Sequence, residues 1–229
     1  MVLSFSLYLL LLSDLVAHIN MHLFPASLSI GLLSQVLAVT LDAEGLPDTG
    51  LDTSTWQTGS LPSLEDLVNL NDIQLAAKNA LAPADYAYYR TAALDEITYM
   101  ANMNDWSKIK LNGFSFTNVS KPSLATSILG HNFSAPFFIA PAAKAGRASS
   151  GAETNLAKAA GNSSILYVPS ISATQSIETI GQAAIPGQVM FHQEYIWSNN
   201  TKLQDELSRI EKSGFRAIVL TVDNTVSSK

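Results

Sequence analysis

Neutral polar side chains stand at the carboxyl ends of three successive apolar runs. They are Ser170 after the first run, Gln193 and Tyr195 after the second, and Thr221, followed by the acidic Asp223, after the third. In α/β proteins with parallel strands, ligands bind at the carboxyl ends of the strands. Hydroxyl and amide groups donate and accept hydrogen bonds without carrying a charge. The set therefore fits a flat heteroaromatic ligand with several carbonyl and N–H groups better than a metal ion or a phosphate, and we predict no metal site.

Small residues follow a fourth apolar run, which lies earlier in the chain at "PFFIAP" (136–141). The residues at its end are Pro141, Ala142 and Ala143, where a polar turn is the usual continuation. Small side chains let another group come close to the backbone, so this loop is a candidate part of the same site. The alternative is a tight strand-to-helix turn without a ligand.

The apolar runs alternate with helical segments, and this alternation predicts an α/β fold. The runs cover 136–141, 165–170, 188–195 and 217–223, and the helical segments cover 151–161, 173–184 and 201–213. Strands connected through helices are parallel, with right-handed crossovers. Two architectures fit, a (β/α)8 barrel and a doubly wound sheet. A dinucleotide-binding sheet would carry G-x-G-x-x-G after its first strand, which "APAAKAGRASSG" lacks.

Helices are also predicted ahead of the first strand. Ser63 is the candidate N-cap of the first helix, and Asn71 or Asp72 is the candidate N-cap of the second. Pro83 starts a third helix, because proline is well tolerated in a first turn. Residues 94–108 are predicted to form a fourth.

Composition excludes several classes of function. The chain of 229 residues is 47% apolar, which is enough for a sizeable core, and its net charge is −6. No basic patch interleaved with aromatic residues is visible, so nucleic acid is not an expected partner. The absence of cysteine excludes disulfides, thiolate metal sites and a cysteine nucleophile.

The N-terminal region differs from the rest of the chain. Residues 1–40 contain two apolar stretches and predict a signal peptide or signal anchor, and 41–60 predict a linker ahead of a domain in 61–229. Four N-x-S/T sequons follow, at Asn118, Asn132, Asn162 and Asn199. Together these features predict a glycoprotein of the secretory pathway, secreted or anchored to a membrane.

Six stretches carry a resemblance to a known family. They are "LVNLNDIQLAAKNAL", "YAYYRTAALDE", "ILGHNFSAPFFIAPAA", "SISATQSIE", "FHQEY" and "GFRAIVLTVD". In this order and spacing, residues 61–223 resemble the FMN-dependent 2-hydroxy-acid dehydrogenases and oxidases. That family includes glycolate oxidase, lactate oxidase and the flavin domain of flavocytochrome lactate dehydrogenase. The resemblance implies a (β/α)8 barrel of the TIM type with bound FMN. The chain would cover the N-terminal helices and about the first four β/α units, a partial barrel.

The resemblance also implies roles for the residues at the strand ends. The loop at Pro141, Ala142 and Ala143 would pass beside the reactive edge of the flavin, although family members commonly have threonine where Ala142 stands. The residues that would hydrogen-bond the isoalloxazine ring are Ser170, Gln193 and Thr221. The alternative for these three is an ordinary strand-end residue satisfied by the neighbouring backbone.

Three further residues match family positions that contact the substrate or the catalytic base. Tyr88 would bind the substrate carboxylate, or else pack against the barrel as an ordinary aromatic residue. The hydroxyl of Tyr195 would face the substrate. Asp223 would pair with a catalytic histidine, or else cap the next helix. We assign His192 no role, and we interpret Lys144 and Arg147 as solvated loop charges.

The chain departs from the family pattern in two ways. Ser172 stands where plant glycolate oxidase has a tryptophan in the substrate pocket, so we expect a different substrate preference. The second half of the family pattern is missing from the sequence, and with it the lysine near flavin N1, the histidine base, the substrate-binding arginine and the phosphate site.

These features lead to one principal hypothesis and two alternatives. The principal hypothesis is an FMN-dependent oxidoreductase that converts a small, lactate-like (S)-2-hydroxy acid to the 2-oxo acid, and we expect it to be incomplete in this chain. One alternative is a non-catalytic truncated remnant. The other is a half-barrel that binds FMN or complements another half, and a second copy of the chain, in a homo-oligomer, is a candidate partner.

Overall fold

The computed structural model describes residues 45–223, so the predicted signal segment in residues 1–40 lies outside the described residues. The helices are α1 (Leu70–Ala80), α2 (Pro83–Arg90), α3 (Ile97–Asn104), α4 (Ala152–Asn162), α5 (Ile177–Gln182) and α6 (Asn200–Lys212). The strands are β1 (Thr126–Ile128), β2 (His131–Phe133), β3 (Phe138–Ile139), β4 (Leu166–Tyr167), β5 (His192–Glu194) and β6 (Ile218–Leu220). Helices α1–α3 and a β-hairpin therefore precede four strands that alternate with three helices.

The N-terminal helices begin close to the predicted caps, but not always at them. The side-chain oxygen of Asn69 accepts hydrogen bonds from the backbone N–H groups of Asn71 and Asp72. Asp72 in turn accepts a hydrogen bond from the Asn69 N–H, which completes a capping box. The prediction of Asn71 or Asp72 as the N-cap is therefore wrong, because Asp72 is the partner three residues into the helix. Ser63 is a cap as predicted, but of a three-residue 3₁₀ turn, Leu64–Asp66, and not of a helix.

The helices predicted over 151–161 and 201–213 agree with the structure within one residue, whereas the helix predicted over 173–184 is limited to Ile177–Gln182. Pro83 is the first residue of α2, as predicted. The predicted helix over 94–108 is divided into α3 and a 3₁₀ turn, Asp105–Lys108. Helix α6 ends at Lys212 and is followed by Gly214, whose φ of +88° is the left-handed conformation that commonly ends a helix.

Strands β1 and β2 form an antiparallel hairpin that the sequence pattern did not predict. Thr126 pairs with Phe133, and Ile128 pairs with His131. The two-residue turn consists of Leu129 and Gly130, with φ values of +50° and +81°. Two-residue hairpin turns need positive φ, which asparagine and aspartate adopt far more readily than leucine. The hairpin was missed because its first turn residue gives no such signal.

Strands β3, β4, β5 and β6 are parallel and follow one another in chain order. Strand β3 pairs with β4, and β5 pairs with β6. A parallel bridge between Tyr167 and Met190 connects the two pairs, and the Gln193 N–H donates to the Pro169 carbonyl oxygen at 2.9 Å. Neighbouring strands in chain order are typical of a barrel sector, whereas a doubly wound sheet reverses its order near the middle.

Alternate strand residues face two different hydrophobic clusters. One cluster joins the helix-facing side of the sheet to the helices and contains Tyr167, Met190, Ile180, Ile210 and Phe215. The other lies on the opposite face and contains Leu166, Val168, Phe191 and Phe133 of the hairpin. Because side chains alternate along a strand, Ser170 and Gln193 continue the second face beyond the apolar residues.

Strand β6 lies at an open edge of the sheet. Within residues 45–223, β5 is the strand that pairs with it. Ile218, Val219 and Leu220 are 42%, 37% and 44% exposed, although their side chains are apolar. In a closed barrel, a further strand would pair with this edge. Among the described residues, no helix is both long and apolar enough to cross a bilayer.

Candidate cofactor and substrate site

A row of hydrogen bonds connects the carboxyl ends of three neighbouring strands. The Ser170 hydroxyl donates to Gln193 Oε1 at 3.2 Å. The Gln193 side chain then donates from Nε2 to Thr221 Oγ1 at 2.9 Å. Gln193 Oε1 also accepts the backbone N–H of Ile171 at 3.1 Å. The structure therefore brings Ser170, Gln193 and Thr221 together, as the sequence predicted.

The polar capacity of this row fits the edge of a flavin ring. Gln193 is 3% exposed, so its orientation is fixed by its buried partners. Gln193 Oε1 accepts from two donors, the Ser170 hydroxyl and the Ile171 N–H. Gln193 Nε2 carries two N–H groups and gives one of them to Thr221, so the second can bind a ligand. Thr221 Oγ1 accepts that bond, so its own proton can serve another acceptor. Carbonyl oxygens and N–H groups alternate along one edge of an isoalloxazine ring, and neutral groups of this kind match them without a charge.

Tyr195 and Asp223, the two other site residues predicted at the strand ends, come two residues after Gln193 and Thr221 respectively. Tyr195 and Thr221 line a common cavity of about 580 Å³ with Trp197. The rings of Tyr195 and Trp197 meet edge to face, with 6.5 Å between their centroids. Asp223 is exposed and is the last described residue. The structure thus places Tyr195 beside the row.

The small residues after β3 line a different cavity. Ala142 and Ala143 line a largely apolar space of about 470 Å³ between the N-terminal helices and α4, which Tyr86 and Tyr89 also line. Pro141 is half-buried just before them. The loop lies at the same edge of the sheet as Ser170, because β3 and β4 are parallel neighbours. The proposed closeness of this loop to a flavin stays a prediction.

Glu153 is a site residue that the sequence analysis missed. It is fully buried near the start of α4, and Oε1 accepts the backbone N–H groups of Ala145 at 2.9 Å and Thr174 at 2.8 Å. Its Oε2 accepts the N–H of Gln175 at 3.2 Å. One carboxylate therefore fixes the loop after β3 to the loop after β4. The sequence shows only an acid in a helical first turn, which is common without any such role.

Tyr88 lies against the loop that follows β3. Arg147 Cζ is 4.7 Å from the centroid of the Tyr88 ring, and Arg147 also forms an ion pair with Asp85 at 2.7 Å. The neighbouring Tyr89 donates its hydroxyl to the Lys144 carbonyl oxygen at 2.7 Å. Tyr88 is 41% exposed. Arg147 is thus not simply a solvated loop charge.

The buried ionisable residues of β5 lie away from the row, on the helix-facing side. His192 is 1% exposed, and its ring meets Phe215 edge to face at 5.1 Å between centroids. Burial lowers the pKa of His192 from 6.5 to about 4. Glu194 lies on the same side, and burial raises the pKa of its carboxyl. His131 is in the hairpin, at the other end of the sheet. Neither described histidine is therefore placed to act at the polar rim.

Comparison with known proteins agrees with this geometry. Residues 77–229 match the family model described as FMN-dependent dehydrogenase. The chain belongs to the FMN-dependent dehydrogenase family. The predicted family is therefore confirmed, and FMN, predicted as the cofactor, is the one for which the family is named.

Two curated relatives are similar to this chain over a length close to that of the family match, roughly 160 residues. The chain is 32% identical to L-lactate dehydrogenase (cytochrome) of Wickerhamomyces anomalus over 162 residues, which is 71% of this chain and 28% of that protein. It is 33% identical to glycolate oxidase 3 of Oryza sativa subsp. indica over 160 residues, 70% of this chain and 43% of that protein. The chain thus spans less than half the length of these relatives.

Solved structures of the family support the partial barrel. The flavin-binding domain of baker's yeast flavocytochrome b2 superposes with a TM-score of 0.68 at 28% identity, covering 71% of this chain and 42% of that one. A Pediococcus acidilactici protein assigned as a lactate oxidase superposes with a TM-score of 0.69 at 25% identity, covering 76% and 48%. The prediction of an incomplete (β/α)8 barrel is confirmed.

Proposed function

We propose that this chain forms the flavin-cradling part of an FMN-dependent oxidoreductase that oxidises an (S)-2-hydroxy acid to the 2-oxo acid. The observation that carries the proposal is the hydrogen-bonded row of Ser170, Gln193 and Thr221 at adjacent strand ends. In this proposal the three side chains hold the polar edge of the isoalloxazine ring, and the loop with Pro141, Ala142 and Ala143 lies along its reactive edge.

The substrate would lie between this row and the N-terminal helices. Bound FMN supplies the two-electron acceptor for oxidation of the alcohol carbon. Tyr88 would donate its hydroxyl to the substrate carboxylate, and Tyr195 would face the reacting alcohol. Asp223 would steady a protonated base. Among the described residues, neither His131 nor His192 lies at the rim, so we assign the role of the base to neither of them.

Flavin binding provides the direct test of this proposal. We expect the purified chain to quench FMN fluorescence on titration, and Gln193→Leu to weaken FMN binding at least about ten-fold, because each lost hydrogen bond to a buried polar group costs about 1–3 kcal/mol. Gln204→Leu changes an exposed glutamine on α6 and serves as the matched control. Unchanged FMN affinity in a folded Gln193→Leu variant would contradict the proposal.

A second variant distinguishes the binding of the cofactor from the binding of the substrate. Tyr88→Phe removes one hydroxyl and should leave FMN affinity unchanged while weakening the binding of 2-hydroxy acids. An equal loss of FMN and substrate affinity in this variant would mean that Tyr88 has been assigned the wrong role.

The open edge at β6 favours a second candidate function, a half-barrel that is completed by another polypeptide. An apolar strand with about 40% exposure is an unusual surface for a monomer, since unpaired edges are normally covered. Size-exclusion chromatography with light scattering tests this function. A stable, well-folded monomer over a wide range of concentration would speak against it.

We also propose that the protein enters the secretory pathway. The four sequon asparagines, Asn118, Asn132, Asn162 and Asn199, are all exposed. An oligosaccharyltransferase could therefore reach them on the folded surface. When the chain is expressed in eukaryotic cells, we expect treatment with an N-glycosidase to lower its apparent mass. An unchanged mobility would contradict the assignment.

A further inference from the structure

Two cationic side chains lie within about 6 Å of the centroid of the Tyr88 ring. Arg147 Cζ lies 4.7 Å and Lys144 Nζ lies 5.9 Å from the Tyr88 ring centroid. Arg147 also pairs with Asp85 at 2.7 Å, which fixes its position beside the ring. Within the described part of the chain, the residue that we propose to bind the substrate carboxylate is therefore next to one unpaired cation, Lys144, and to a guanidinium that keeps donors beyond its ion pair.

The direction of the Lys144 side chain is set by an unusual backbone conformation. Lys144 has φ +59° and ψ +47°, the left-handed region that residues other than glycine seldom adopt. Its carbonyl oxygen accepts hydrogen bonds from the Tyr89 hydroxyl at 2.7 Å and from the Arg147 N–H at 3.0 Å. The next residue, Ala145, is held by Glu153. Contacts on both sides therefore maintain the strained turn, and such strain is often found at functional sites.

Lys144 and Arg147 share a cavity with the residue that departs from the family pattern. Ser172 lines the same space of about 520 Å³, together with Asp85 and Thr174. The backbone N–H of Ser172 donates to Ser170 Oγ at 3.1 Å, so this cavity adjoins the row that we assign to the flavin. The small serine side chain leaves this side of the site open.

The charge of this cavity is positive, although the whole chain has a net charge of −6. The charged residues that line it are Lys144, Arg147 and Asp85, which sum to +1. Asp85 is paired with Arg147, so an incoming anion would meet Lys144 and the remaining guanidinium donors of Arg147. Such a cavity favours a negatively charged group on the ligand.

We infer that the substrate is a 2-hydroxy acid with a second carboxylate at its far end, held in this cavity by Lys144 and Arg147. This inference rests on the proposed function and narrows its substrate class. The first carboxylate would contact Tyr88, and the chain of the substrate would extend past Ser172. A 2-hydroxy acid with an uncharged tail would leave both cations without a partner from the ligand.

Calorimetric titration of the full chain tests this inference. The ligands are (S)-2-hydroxyglutarate and (S)-2-hydroxyvalerate, which have the same carbon skeleton length and differ in the distal carboxylate. We expect the dicarboxylate to bind at least about ten-fold more tightly at low ionic strength, since charge-assisted hydrogen bonds are the strong ones. The preference should shrink in high salt, because the cations are exposed.

Two matched lysine variants test whether the preference for the dicarboxylate depends on Lys144. Lys144→Met should abolish most of the preference, whereas Lys158→Met, on the exposed face of α4, should retain it. Glutarate, which lacks the 2-hydroxyl, reports anion binding without the alcohol. Equal affinities for the two hydroxy acids, or a preference that survives in Lys144→Met, would overturn the inference.

Titrations with and without FMN distinguish this inference from the proposed function. A chain that binds FMN but shows no dicarboxylate preference overturns the inference and leaves the proposed function standing. A chain that shows the Lys144-dependent preference without binding FMN supports the anion cavity and contradicts the flavin assignment. The two results are read from separate isotherms, so neither depends on turnover.

Discussion

Replacing Glu153 with alanine is expected to lower the free energy of unfolding by about 3–5 kcal/mol and to abolish measurable FMN binding. The carboxylate accepts three backbone N–H groups, those of Ala145, Thr174 and Gln175. Hydrogen bonds to a charged group contribute about 1.5–3 kcal/mol each, and some of the freed N–H groups would regain water. Both loops beside the proposed site would lose the contact that holds them together.

Urea denaturation followed by circular dichroism measures the loss of stability, and FMN titration well below the transition measures the site. Glu153→Gln keeps one oxygen acceptor but presents an N–H₂ group to a backbone donor, so an intermediate loss is expected. Glu211→Ala, at an exposed glutamate on α6, is the control. A Glu153→Ala variant with the stability and FMN affinity of the unmodified chain would refute the assigned role.

Replacing His192 with leucine is expected to remove most of the stability loss that occurs as the pH falls from 6.5 to about 4. The folded chain holds this histidine neutral, with a pKa of about 4 against an ordinary 6.5. A group whose pKa is lowered by folding contributes stability above its unfolded pKa and loses it as the pH falls towards the folded pKa. For His192 this loss lies between pH 6.5 and about pH 4 and amounts to about 3 kcal/mol.

Two variants separate the charge of His192 from its polarity. Among the described residues, neither ring nitrogen has a hydrogen-bond partner, so leucine should also raise stability at pH 7.5 by about 1–3 kcal/mol. His192→Gln cannot titrate but remains polar, so it should flatten the pH profile without that gain. Urea midpoints measured at several pH values test both. A wild-type profile retained in both variants would show that another group controls acid unfolding.

Local signals were sufficient to predict the order of the four parallel strands and of the helices between them. The alternation of apolar runs with helical segments predicted the parallel sheet, and the polar residues after each run predicted the row of Ser170, Gln193 and Thr221. This works because side-chain alternation and parallel pairing together determine which residues share a rim. The positions of these residues therefore follow from short-range pattern alone.

The missed features depend on contacts between distant segments. Glu153 accepts hydrogen bonds from residues 21 and 22 positions later, and nothing in its own helix distinguishes it from an ordinary first-turn acid. The hairpin depends on Leu129 adopting positive φ, which its residue type opposes. The N-cap was misplaced by two or three residues because Asn69, Asn71 and Asp72 are all good capping residues and only the geometry shows which one caps.

The exposed margin of β6 also affects the handling of the isolated polypeptide. Within residues 45–223, the backbone groups on the outer side of β6 pair with no strand, and together with its apolar side chains they form a template on which another extended segment can hydrogen-bond. In a cell, molecular chaperones recognise surfaces of this kind. In a purified sample, such surfaces nucleate aggregates as the protein concentration rises. A charged substitution at Val219 should consequently raise the yield of soluble protein more than a substitution of similar size on a helix does.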